Sequence, residues 1–169
     1  FVQPGAGTLP GSVRRIPIVV PAGTRYLRVA LSNGNSSPGA DLDLYLYSCP
    51  GFGVCTEEPE LMSFNEESNE AISVIAEEGG LFITPGEYSV DVHGYDAPTG
   101  TATSRLFVWT VGADRGNASV DAPSSVSAGT DGSLSLSWQG LESGLHLGLI
   151  SHTDGATILD QTVIEITAP

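Results

Sequence analysis

The chain has 169 residues, with 20 acidic side chains against 6 basic ones, all arginine, and a net charge of −14 at pH 7. That charge argues against nucleic acid or an anionic membrane surface as a partner, because both are bound through cationic neutralisation. No apolar run approaches the roughly 20 residues that span a bilayer, and the length supports one good core, or one core with a small satellite.

Short alternating segments, broken by Gly, Pro, Asn and Ser about every ten residues, carry the pattern of an all-β sandwich or barrel. The chain opens on Phe1 with no charged-then-apolar leader, as expected of a processed product or an excised piece. Strands are predicted over 14–20 and 26–32, after which Asn33-Gly34-Asn35 and Pro38-Gly39 turn the chain. The third strand, 41–48, lies in the sequence Ala-Asp-Leu-Asp-Leu-Tyr-Leu-Tyr at 40–47. Alternation puts Leu42, Leu44 and Leu46 on one face and Asp41, Asp43, Tyr45 and Tyr47 on the other. Two carboxylates side by side on one strand face repel, so solvent, a cation or backbone donors must offset them.

Cys49 and Cys55 flank a Pro- and Gly-containing loop at the end of this strand. A small disulfide ring is predicted there, which implies an oxidising compartment. Zinc is the rival reading, and two cysteines at this spacing without nearby histidines suit it poorly. The acidic residues Glu57, Glu58, Glu60, Glu66, Glu67 and Glu70, with Glu77 and Glu78 beyond, read as loops or hairpin ends forming a solvated surface rather than a binding site. A strand is predicted over 70–75, and Pro85-Gly86 opens another over 86–93 with Tyr88, Val90 and Val92 inward and Asp91 and His93 outward. A strand over 104–111 follows, then a linker over 112–117 and strands over 120–122, 133–139, 146–152 and 161–167.

The strands at 41–48 and 86–93 resemble the pre-peptidase C-terminal type of β-sandwich, a non-catalytic module appended to secreted bacterial proteases, with its DLDLY-like and PGxYxVxV-like strands. The resemblance spans roughly 13–111. The tail contains Ala122-Pro123-Ser124-Ser125, Ser135-Leu136-Ser137-Trp138, His146-Leu147-Gly148-Leu149-Ile150 and Thr162-Val163-Ile164-Glu165-Ile166. It is similar to the last β-segment of subtilisin-like proteases, a fibronectin type III-like half-sandwich. The two resemblances imply a jelly-roll-like antiparallel β-sandwich over 1–113 and a small fibronectin type III-like β-segment over 114–169. Alone, that small segment would be marginal, so it is expected to pack on the first, with Trp109 and Trp138 either at the contact or in ordinary cores.

None of the three histidines, His93, His146 and His152, lies in a setting like that of the subtilisin catalytic histidine, and no serine has a nucleophile's surroundings. Asp154-Gly155 after His152 is better explained as a turn. A non-catalytic piece of an exported protease is the reading, with the protease's own catalytic domain as partner. Calcium is the candidate cofactor, with Asp41, Asp43, Asp91 and Asp96 as candidate ligands. The alternative is a solvated acidic face whose aspartates accept hydrogen bonds from turn amides. Tyr45, Tyr47 and Tyr95 are the candidate surface for a protein or polysaccharide substrate, or are covered by a neighbouring segment or by the protease domain. Three functions are therefore weighed: a stabilising module, a polymer-binding module, and a domain of a surface adhesin with no protease attached.

Overall fold

The computed structural model describes residues 12–51, 53–75, 84–127 and 129–169. The chain divides into two units, Phe1–Gly112 and Ala113–Pro169.

The first unit holds β1 (Val13–Val20), β2 (Tyr26–Ala30), a 3-10 turn at Asn33–Asn35, β3 (Asp41–Ser48), β4 (Leu61–Ser63), β5 (Ala71–Ile75), β6 (Gly86–Asp96) and β7 (Phe107–Val111). They form two antiparallel sheets, one in the order β1-β6-β3-β4 and the other β5-β2-β7. Alternation supplies the core between them. Leu42, Leu44 and Leu46 of β3 cluster with Val90 and Val92 of β6, Leu27 and Val29 of β2, and Ile72 and Val74 of β5. Each such side chain, fully buried, stabilises the fold by about 1.5–3 kcal/mol. This unit is the all-β sandwich expected from the sequence.

β3 occupies the predicted span, while β6 runs on past His93 to Asp96, with the register slipping between Asp41 and Leu42. Two readings of the acidic stretch need correction. Leu61–Ser63 pairs with β3 as a strand rather than a loop; at three residues among charges it is too short for alternation to reveal. Glu70 is fully buried rather than solvated. Glu57, Glu58, Glu60, Glu66 and Glu67 are exposed as expected, and Glu77 and Glu78 lie outside the described residues.

In the second unit β8 (Ala118–Asp121) pairs with β9 (Ser135–Trp138), and β10 (Gly144–Asp154) with β11 (Thr157–Ala168). Gly155, at φ 60°, takes the left-handed conformation in the two-residue turn between β10 and β11. Among its described residues Ala168 is the one buried apolar side chain. Trp138 is exposed, whereas Trp109, in the first unit, stacks on Phe107 with ring centroids 5.4 Å apart.

Candidate functional site

The outward face of the four-stranded sheet carries most of the predicted polar residues, and strand register sorts them into rows. One row runs Arg15, Asp91, Tyr45, Met62 across β1, β6, β3 and β4; the next holds Val13, His93 and Asp43. Asp41 pairs with Asp96 at the bulge.

Asp91 is only 1% exposed although its strand position faces outward. The Arg15 guanidinium donates to it from Nε (3.1 Å to each oxygen) and Nη2 (2.9 Å), and the Ser89 hydroxyl donates at 2.8 Å. The hydrogen bond and charge of Asp91 in turn hold the Arg15 guanidinium above its usual pKa.

Between the two rows the rings of Tyr45 and His93 lie 4.3 Å apart at their centroids, tilted by 39°. Burial lowers the His93 pKa, opposed by the charge of Asp91. Asp43, opposite His93, is 9% exposed, and no donor among the described residues reaches it. Burial, then the charges of Asp41 and Glu70, pushes it up to about 6. Asp41 is raised by burial first, then by Glu70, Asp96, Glu66 and Glu67, and its Oδ1 is buried without a hydrogen-bond partner. Tyr45 and Tyr47 are half-buried and raised chiefly by burial, while Tyr95 is exposed.

A loop over 64–69 brings the glutamates to Asp41. The Glu70 carboxylate accepts from the Asn65 backbone N–H at 2.7 Å, from Asn65 Nδ2 at 3.0 Å and from the Ser63 hydroxyl. Asn33 clamps the same loop, its Oδ1 accepting from the Ser68 N–H at 2.8 Å and its Nδ2 donating to Glu67. The buried Ser68 hydroxyl donates to the Ala40 carbonyl at 2.7 Å. Glu67 sits at φ 69°, a left-handed conformation that a non-glycine residue holds only against steric cost. This clamp was not legible beforehand; a turn-forming Asn33 and a glutamate bordering a strand are too common to single out.

The aspartates separate into two groups. Asp41, Asp43 and Asp96 gather at the bulge end of β3, while Asp91 is taken up by Arg15. Among the described residues no three His, Cys, Asp or Glu side chains are arranged to hold a metal ion. Cys49 and Cys55 form a disulfide, which consumes both sulfurs and leaves none for zinc. Beyond His93, His146 contacts the Glu142 carbonyl through Nε2 at 2.7 Å, and His152 Nε2 contacts Thr162 Oγ1 at 2.9 Å. None of these contacts joins a histidine to both a serine hydroxyl and a carboxylate. Among the described residues no helix is long and apolar enough to cross a membrane.

Over 134 residues, covering 71% of the chain, the protein is 31% identical to pyrolysin of Pyrococcus furiosus. The aligned region takes in 8% of pyrolysin, so the chain corresponds to a small part of that relative. No protein-family model matches the chain, and no solved structure matches it.

Proposed function

We propose that the chain is a non-catalytic accessory module of an exported subtilisin-like serine protease, and that it stabilises that enzyme. The observation that carries this reading is the extent of the pyrolysin match: most of this chain aligns with a small share of a far longer protein, as an accessory region would. The DLDLY-like and PGxYxVxV-like strands support it, and they lie side by side as β3 and β6 of one sheet. The Arg15–Asp91 pair, with its carboxylate buried, and the Cys49–Cys55 link suit a module built for rigidity outside the cell.

A second reading, attachment to an insoluble protein or polysaccharide, is favoured by the exposed Tyr95 and the half-buried Tyr45 and Tyr47 on one sheet face. The test compares the parent enzyme with and without this region, on a soluble peptide and on an insoluble protein, before and after heating. Equal loss on both substrates, mainly after heating, is the outcome for a stabiliser. Loss confined to the insoluble substrate would replace it with the attachment reading. Melting in chelator against millimolar calcium is a third arm: an upward shift ties the stabilisation to the Asp41 end of β3, and coincident curves remove calcium from it.

A further inference from the structure

We infer that the carboxylate cluster at the bulge end of β3 is a docking site for an arginine side chain of a basic polypeptide segment, with Tyr45, Met62 and Phe64 as the apolar platform beside it.

Every charged neighbour acting on Asp41 and Asp43 is an acid: each other, Glu70, Asp96, Glu66 and Glu67. Carboxylates gathered in this way repel, and the hydrogen bonds that Glu67 and Glu70 accept from Asn33, Ser63 and Asn65 do not extend to Asp41 Oδ1. Arg15, the arginine on the same sheet face, is committed to Asp91. Asp43 is nine-tenths buried with no donor reaching it among the described residues, and Asp41 Oδ1 is buried without a partner. Charged acceptors in that condition are costly unless a cationic donor completes them.

One further observation selects the kind of cation. The neighbours are apolar and aromatic: Tyr45 is directly paired with Met62, which is 50% exposed, and Phe64 two residues on is 65% exposed. An exposed thioether and phenyl ring beside unpaired carboxylates suit a guanidinium, which presents five donors in a plane, is weakly hydrated and stacks on aromatic faces. The net charge of −14 would steer a basic segment toward the protein. The inference does not rest on the accessory-module reading, because binding is measured on this chain by itself.

The full chain is titrated by calorimetry with hexa-arginine, hexa-lysine and hexaglutamate peptides at about 50 mM and about 500 mM salt, a range over which screening becomes severe. Saturable one-to-one binding of hexa-arginine, tighter than hexa-lysine and absent for hexaglutamate, is expected. An Asp41→Asn/Asp43→Asn variant should weaken it about tenfold or more, and Met62→Ser/Phe64→Ser by about threefold. Asp121→Asn/Asp131→Asn removes the same charge from exposed positions of the second unit and should change it less than about twofold. Melting curves establish that each variant is folded, and replacing a repelled carboxylate by an amide leaves the core intact. Equal losses in both double-asparagine variants would reduce the effect to the general acidic field and overturn the site. So would no saturable binding, or calcium binding that depends on Asp41 and Asp43 and excludes the peptide.

Discussion

The Arg15 guanidinium closes over the Asp91 carboxylate from the neighbouring strand, with Nη2 2.9 Å from Oδ2, although the two residues are 76 positions apart in the chain. Arg15 is itself two-thirds exposed, so most of the desolvation falls on Asp91. Removing the arginine leaves a buried carboxylate with the Ser89 hydroxyl as its remaining donor among the described residues. Arg15→Ala is expected to cost about 2–3 kcal/mol, below the roughly 3–5 kcal/mol for breaking a fully buried pair because Arg15 is largely solvated. Adding Asp91→Asn to Arg15→Ala should restore part of that, because the uncompensated charge is gone. Denaturant unfolding of the single and double variants checks both statements; a double variant less stable than Arg15→Ala would show that the carboxylate is not the source of the cost.

Asp43 gives the protein a stability slope with a definite sign. Its pKa is about 6 in the fold against an unperturbed 3.8, so the folded state holds the proton more tightly. Its contribution is therefore most favourable below about pH 4, declines as pH rises toward 6, and stays at its lower value above. Asp43→Asn should be more stable than the parent by about 1–2 kcal/mol at pH 8, after allowance for solvent screening, and indistinguishable near pH 3.5. His93 works in the opposite sense: its lowered pKa makes stability fall as pH drops below its unperturbed 6.5. Subtracting the parent's stability–pH curve from that of Asp43→Asn isolates the aspartate. A difference independent of pH would refute its elevated pKa.

Glu70 organises the loop that carries Glu66 and Glu67. Its carboxylate accepts from both the main chain and the side chain of Asn65 and from Ser63, with no exposure to solvent. Glu70→Ala leaves those donors without a partner and opens a cavity, at an expected cost of about 2–4 kcal/mol. In hydrogen exchange the Asn65 amide should lose protection first, ahead of the β3 amides. Simultaneous loss across β3 would instead mark Glu70 as part of the global unfolding unit.

Cys49 and Cys55 close a ring of six-residue separation at the end of β3. On the chain-entropy account, Cys49→Ser/Cys55→Ser should lower stability by about 2 kcal/mol. Unfolding of the variant beside the oxidised and reduced parent measures this, and equal stability of all three would leave the ring without a stabilising role.

Local patterns carried much of this architecture. The alternation of Leu42, Leu44 and Leu46 with Asp41, Asp43, Tyr45 and Tyr47 determined β3 and the direction of each side chain, because a strand's two-residue period needs no information from elsewhere. The short spacing of Cys49 and Cys55 and the Asp154-Gly155 turn were legible for the same reason. Alternation states which face a residue is on but not what lies over it. Asp91 was correctly placed facing outward, and only the register of β1 against β6 put Arg15 across it and sealed it. Likewise Glu66, Glu67 and Glu70 read as part of a solvated run. It took the Asn33 and Ser68 hydrogen bonds to fold that run against Asp41 and bury Glu70. These outcomes depend on contacts across tens of residues, where the gain is set by desolvation and cross-strand geometry rather than by local preference. The sequence by itself determined most of the strands and their faces; tertiary structure decided that Leu61–Ser63 pairs, which acids are neutralised, which are buried, and which remain without a partner.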